Sequence, residues 1–514
     1  MNPRAKRFIL LGLAVVLLIA STVMQRTLNR DRETLGLTRV TTTENMPPIL
    51  AFTTVALGGF RGLIANALWI RATEMQENDK FFEMAQLADW ITKLEPHYVA
   101  VWVNQAWNMS YNISVKFKDF DDRWRWVNRG ISLLRDEGLK YNPNEVLIYR
   151  ELAWQFQHKM GANLDDANMI YKQEWIYEMA TVFGKGEPKL DALLNPKTEE
   201  DFKRLDLLTN KFKMDPAFMK QVDDKHGPLE WRLPEAHAIY WASQGLRAAA
   251  ENPTKIKPEE LIQLRRVVYQ CMQLSLQRGR LISDNYAKRF DFGPNLDIVE
   301  KVSKAYEQAM IDEPGMSNNI ATAHRNLLGN AIYFLYEHDR IPEALKWYKY
   351  LGEKYPNKTL LSDKPDSYPA NLTLEEFAIG RIVEDVSETS RDRVKAAMEG
   401  QLVRSYHQLV LGDKKRAAGL RNLAGMLRQA YMKKIAGGAN EKRIGLPSVE
   451  EVEQQVLQHL LDPKENYWPF EMRAALRAQL GMPPEIKQPT SAETNSPPAT
   501  PVTNTPPAAV APGK

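Results

Sequence analysis

Apolar and polar residues follow one another along most of this chain at the three-to-four-residue spacing of amphipathic helices. The pattern is plain in LADWITKLE before Pro96, in LLRDEGLKYN before Pro143, and in PEAHAIYWASQGLRAA over 234–249. It returns in FAIGRIVEDV from Phe377, where Thr373 and Glu376 form a capping box, and in SVEEVEQQVLQHLLD, where Ser448 and Glu451 form another. These segments predict an all-α protein. Three stretches depart from the pattern: Phe8–Met24, Ile49–Ile70, and everything from Pro483 onward.

Phe8–Met24 reads FILLGLAVVLLIASTVM and carries no charge. It follows the basic tail of residues 1–7, MNPRAKR. The run is at the short end for a transmembrane helix and long for a signal-peptide core. The small-residue cleavage pattern near Ala20-Ser21-Thr22 is weak, so an uncleaved anchor over 8–25 is favoured over a cleaved signal. Arg4, Lys6 and Arg7 before the run nearly balance Arg26, Arg30 and Arg32 after it. A very short N-terminal tail usually stays cytoplasmic, which puts the bulk of the chain in the periplasm or outside the cell. Residues 26–57 read as a linker.

The second run, ILAFTTVALGGFRGLIANALWI, has Arg61 near its middle and glycines at 58, 59 and 62. A charge at the centre of a span costs about 2.5–3.5 kcal/mol on insertion scales. Glycines weaken a helix in water, and Pro47 and Pro48 favour a break ahead of the run. A loop followed by a helix from about residue 60 fits better than a second span, with a re-entrant or interfacial segment as the alternative.

The body contains a repeat. Aligning Pro96-HYVAVWVNQAW with Pro143-NEVLIYRELAW pairs Val99 with Val146, Val101 with Ile148, Trp102 with Tyr149, Ala106 with Ala153 and Trp107 with Trp154. Each proline stands where one helix ends and the next begins, a position it tolerates because the first-turn N–H would have no helical partner. A large aromatic followed four residues later by alanine lets a neighbouring helix approach closely.

On these residues the chain resembles the tetratricopeptide-repeat (TPR) family of helical hairpins. The segment NLLGNAIYFLYEHDRIPEALKWYKYLGEKYPN, 326–357, is nearest to that motif. Ala344, Tyr348 and Pro356 fall at its second-helix spacing, while Gly329, Ala331 and Phe334 supply the first helix about one residue out of register. The same frame puts Leu68, Ala72 and Met75 in a first helix, with NDKFFEMAQLADWITKLE as its partner. Elsewhere the spacing is 47 rather than 34, with NISVKFKDFDD inserted between helices. The layout is similar to bacterial membrane-anchored TPR-like proteins. The resemblance implies a TPR-like α-solenoid over 58–360, behind a single N-terminal transmembrane helix, and a binding style rather than an activity. In that family the concave side of the first helices binds peptides, which places Trp107, Arg150, Trp154 and Gln157 on a candidate peptide groove. The bland alternative makes Trp107 and Trp154 core residues between repeats.

Residues 185–230 read as a mostly helical insertion with loops, and 361–482 as a further helical region. Composition adds little: the chain has 514 residues, a formal net charge of +4 and one cysteine. A charge that small does not call for nucleic acid, and no intrachain disulfide is possible. Charge does concentrate in 391–443, where 13 Lys and Arg stand against 4 Asp and Glu. That excess reads either as solvated helix faces or as a docking surface for anionic lipid or an acidic partner. The tail, 483–514, has 9 prolines in 32 residues and no aromatic, so it reads as disordered.

Candidate chemistry is sparse. The histidines at 97, 158, 226, 237, 324, 338, 407 and 459 form no metal-ligand spacing. Cys271, in VVYQCMQL, reads as a buried thiol, and Asp121 and Asp122 as helix caps. GxSxG, Walker A and GxGxxG motifs are absent from the sequence. No catalytic residue, cofactor or metal is expected. The sequence reads as a non-enzymatic, membrane-anchored scaffold that binds a protein or peptide in a cell-envelope assembly. The alternative is an envelope enzyme or carbohydrate-binding protein with its site in the aromatic-rich repeats.

Overall fold

The computed structural model describes residues 3–34, 60–251, 256–284, 289–385, 391–435, 446–463 and 467–485, apart from positions 185, 187, 252–255, 339 and 362–363. Residues 26–34 of the expected linker are helical instead, as the end of the first helix, while its remainder, 35–57, the first half of the 49–70 run, the glycine stop at 436–438 and nearly all of the proline-rich tail lie outside those residues. The chain divides into two units, Met1–Ile113 and Ser114–Lys514.

The first unit holds α1 (Pro3–Thr34), α2 (Phe60–Glu77), α3 (Phe81–Leu94) and α4 (Val99–Trp107). Helix α1 runs through the expected anchor. Among the described residues no helix is long and apolar enough to cross a membrane. Helix α2 starts at Phe60, just past Gly58 and Gly59 in the sequence, and takes in Gly62. It pairs with α3 as an antiparallel hairpin whose turn puts Asp79 at φ +56, in the left-handed region. Ala72 and Met75 meet Met84 on one level; Ala65 meets Ala88, Ile91 and Val101 on the next. The small side chains at 65, 72 and 88 let the backbones approach, and of these Ala72 is the one that the sequence frame placed.

The second unit is also mostly helical. Its longer helices are α5 (Phe120–Ser132), α6 (Val146–Trp154), α7 (Asn168–Phe183), α8 (Glu199–Asp206), α9 (Pro216–His226), α10 (Pro234–Glu251) and α11 (Pro258–Arg278). Then come α12 (Val299–Asp312), α13 (Ser317–Glu337), α14 (Ile341–Lys354), α15 (Leu374–Asp385), α16 (Arg391–Val410), α17 (Lys414–Ile435), α18 (Val449–Leu461) and α19 (Phe470–Gln479). Consecutive helices pack as hairpins in α10–α11, α12–α13, α13–α14 and α16–α17. In the 326–357 segment Ala331, Leu335, Ala344, Tyr348 and Leu351 are all buried. Helix α5 is capped by Asp119, whose carboxylate accepts the N–H groups of Asp121 and Asp122. The two expected caps therefore sit in the first turn, where their charge complements the helix dipole. Both expected capping boxes form, at Thr373 with Glu376 and at Ser448 with Glu451.

The 47-residue repeat extends to details of the backbone. Helices α4 and α6 share the same bounds at that offset. Each continues into wider turns with i→i+5 bonding, Asn108–Ile113 after α4 and Gln155–Gly161 after α6. The Trp102 indole donates to the Pro96 carbonyl at 2.8 Å, and the Tyr149 hydroxyl donates to the Pro143 carbonyl at 2.7 Å. An aromatic donor six residues on thus satisfies the carbonyl that the helix entry leaves open. One feature departs from the all-α expectation. Arg280–Asp284 and Arg289–Gly293 pair as an antiparallel two-stranded hairpin, with Arg280 opposite Gly293. Gly279 ends α11, and the short RLISD and RFDFG segments then pair with each other.

Candidate functional site

Of the four side chains expected to line a peptide groove, Arg150, Trp154 and Gln157 lie along one side of α6 and its continuation. Arg150 donates to Gln263 at 2.7 Å and Gln157 to Gln270 at 3.0 Å. Both partners are on α11 and seven residues apart, so α6 and α11 run in the same direction. Helix α11 thus occupies the face that those two side chains present. Trp154 keeps 40% of its surface exposed and stacks on His158, ring centroids 4.4 Å apart. Trp107 belongs to the first unit, half-exposed and stacked on Tyr111.

The opposite face of α11 borders a groove of about 660 Å³ walled by α9, α10, α11 and α12. Its floor is apolar, from Phe218 and Val222 of α9, Leu246 of α10, Val268 and Tyr269 of α11, and Ala305 and Ala309 of α12. Its rim carries Lys225, Arg265, Lys301 and Lys304 against one carboxylate, Asp312. Two of these cations have carboxylate neighbours: Arg265 lies 3.7 Å from Asp312, and Lys304 is 2.7 Å from Glu300. Lys301 instead donates to the carbonyls of Gly227 at 2.5 Å and Asp223 at 3.4 Å, at the C-terminus of α9, where a cation complements the helix dipole. Among the described residues Lys225 has no ion-pair partner. His226 is buried at the groove with Nδ1 3.2 Å from the Met272 sulfur. Burial, helped by Lys225 and Lys301, lowers its pKa to about 4, so it is neutral near pH 7.

The walls are fixed by charges that sequence spacing does not connect. Glu235 at the start of α10 is buried and accepts from Arg278 Nε, at the end of α11, at 2.8 Å, with Nη2 of the same guanidinium 2.7 Å away as an ion pair. The same Nη2 donates to the Gly161 carbonyl at 2.5 Å, which ties the hairpin to the end of the α6 continuation. Beside them Lys172 is buried and donates to Asn163 and Asn168. Its pKa falls to about 8, first through burial and then through Arg278. Lys159 bonds Asp165 at 2.5 Å, and Tyr171 and Arg123 add to the same carboxylate. Burial alone would raise Asp165, but the Lys159 ammonium and the Ala167 N–H, which donates to it at 2.9 Å, outweigh burial and hold it low. Behind α10 the core is aromatic: Trp175 meets Phe156, Phe212 and His237 at ring distances of 5.0, 5.8 and 4.9 Å.

A second opening, about 880 Å³, lies beside the β-hairpin and is lined by charged residues of both signs. Arg232 is held bidentately by Glu230, Arg340 by Glu343 and Asp297, and Arg280 lies 3.9 Å from Asp413. Its arginines are therefore neutralised within the cleft, and it lacks the apolar floor of the groove. Among the described residues no group of three or more His, Cys, Asp or Glu side chains is placed to hold a metal ion. Cys271 is buried, and burial raises its pKa well above the usual thiol value. The basic 391–443 segment is partly paired within the fold: Arg404 with Glu337, Arg421 with Glu453, and Arg428 with the carbonyls of Leu446 and Pro447.

The groove residues escape sequence reading because four helices between Pro216 and Asp312 supply them, and α9 belongs to a stretch that reads as an insertion. The local signal was present: Asp215 followed by Pro216 marks a capped helix start, and Phe218, Val222 and Lys225 fall on one side of that helix. Compared with known proteins, the chain matches no family model and no curated protein.

Proposed function

We propose that this chain is a TPR-like binding scaffold attached to a membrane through its N-terminal region. Its α9–α12 groove takes an acidic peptide segment, with apolar side chains, from a protein partner. The observation that carries the reading is the pairing of an apolar floor with a rim on which cations outnumber carboxylates and Lys225 has no ion-pair partner among the described residues. An extended or helical segment carrying Leu or Phe anchors and flanking Asp or Glu matches both features. Nucleic acid does not suit so apolar a floor. The hairpin packing and the buried small residues of 326–357 support the TPR-like assignment. Attachment to a membrane is supported by the exposed apolar side chains of α1, among them Val16, Leu17, Ile19 and Met24. A cell-envelope setting, with the body outside the cytoplasm, is part of this proposal.

Fluorescence polarisation with a labelled acidic peptide bearing Leu and Phe tests the groove. A charge-matched peptide of Glu, Ser and Gly serves as the control. Replacing Lys225→Glu and Lys304→Glu together is expected to weaken binding at least about tenfold, or about 1.4 kcal/mol, at low salt. The loss should shrink as salt screens the rim. Equal binding of both peptides, or indifference to the charge reversal, refutes the assignment.

A further inference from the structure

Helix α2 is apolar on two faces. Its inner face, Ala65, Ala72 and Met75, is spent on the hairpin with α3. On its outer face Phe60, Leu63 and Ile70 are 70%, 65% and 71% exposed, and Ile64 is 39% exposed. Residues 60, 63, 67 and 70 fall along one stripe of a helix. The stripe ends abruptly. In the last two turns the exposed positions become Arg71, Glu74 and Glu77, with Arg71 paired to Glu74 at 2.6 Å. Arg61 is the one charged residue in the sequence of the first three turns, against three in the last two, so polarity changes along α2 as well as around it.

The apolar end is the end that meets the preceding chain. Residues 49–59, ILAFTTVALGG, are uncharged and run directly into Phe60. Because α2 and α3 are antiparallel, the C-terminal part of α3 lies at that same end, and it carries Trp90, 53% exposed. Tryptophan concentrates where hydrocarbon meets water. We infer that the apolar end of the first hairpin rests in the interfacial layer of a lipid bilayer, a membrane contact separate from α1 and independent of the peptide groove.

The hairpin also shows why α2 lies at a membrane rather than across it. A spanning α2 would carry α3 with it, and α3 exposes Glu83, Asp89 and Lys93. Those charges have no place in the hydrocarbon core. Partial immersion of the first three turns keeps Phe60, Leu63 and Ile64 in lipid and leaves the Arg71–Glu74 end in water. A second copy of the chain would cover the stripe too, but would give no reason for the uncharged segment that precedes it in the sequence.

The test uses the full-length chain with phosphatidylcholine–phosphatidylglycerol vesicles. Single cysteines replace Leu63→Cys and, at the polar end, Glu77→Cys. Cys271 is buried and does not compete for label. Each site carries an environment-sensitive fluorophore, read with brominated lipid and with aqueous iodide. The expected result is severalfold stronger quenching by brominated lipid at position 63 than at 77, and the reverse order with iodide. Equal iodide access at both sites overturns the inference, as does failure of the chain to bind vesicles. Shielding of position 63 without lipid quenching, together with crosslinking between copies through that cysteine, assigns the stripe to a second copy and also overturns it. Circular dichroism matching the parent chain establishes that both variants are folded.

Discussion

Replacing Arg278→Met removes the cation that joins α10, α11 and the end of the α6 continuation. Glu235, whose side chain is 3% exposed, keeps its charge but loses the Nε hydrogen bond and its ion-pair partner, and the Gly161 carbonyl loses its donor. Breaking a buried pair on one side costs about 3–5 kcal/mol. The Arg278 side chain is 21% exposed and Lys172 lies close enough to feel Glu235, so the lower figure, about 3 kcal/mol, is expected. Replacing both partners, Glu235→Leu with Arg278→Met, removes the orphaned charge and leaves only the Gly161 carbonyl unpaired, a cost of about 1 kcal/mol. The double variant should therefore be more stable than the single one by about 2 kcal/mol. Urea unfolding followed by circular dichroism and tryptophan fluorescence measures all three chains. A double variant no better than the single one refutes the reasoning, as does a single variant within 0.5 kcal/mol of the parent (about the spread of ordinary surface substitutions). Because α10 and α11 wall the groove, the single variant should bind the acidic peptide more weakly as well.

Two further outcomes follow from the interior. Burial lowers the pKa values of His226 and His324 to about 4 and of His237 to about 3, below the ordinary value of about 6.5. The unfolded chain then binds more protons, so this stability is present above pH 6.5 and is lost as pH falls towards 4, by up to about 4 kcal/mol per pH unit near pH 5. Unfolding midpoints that stay flat from pH 6.5 to 4.5 would contradict it. For the proline-carbonyl bonds, Tyr149→Phe is expected to cost about 1 kcal/mol and Trp102→Phe about 2–3 kcal/mol, since the buried indole also leaves a gap. Faster amide exchange at the α4 and α6 entries, read by mass spectrometry, checks both; unchanged exchange would mean that the bonds do not hold those entries.

The sequence determined what depends on neighbours along the chain. Helical periodicity, the prolines at 96 and 143, and the Thr373 and Ser448 capping boxes are local, because a turn or a first-turn N–H is satisfied within a few residues. The start of α2 at Phe60 was legible for the same reason: glycines on one side and a small–bulky face on the other leave little choice. Tertiary structure alone decided which helix covers which face. Arg150 and Gln157 look available for a ligand in sequence, yet residues 113 positions away, Gln263 and Gln270, take their hydrogen bonds. The groove needs Lys225, Lys301 and Leu246 brought together from three helices, and no periodicity records that meeting. The run over 49–70 was visible in sequence as apolar apart from Arg61. Only the hairpin shows that one face of α2 is already used, because a buried contact belongs to a pair of helices and not to either sequence alone.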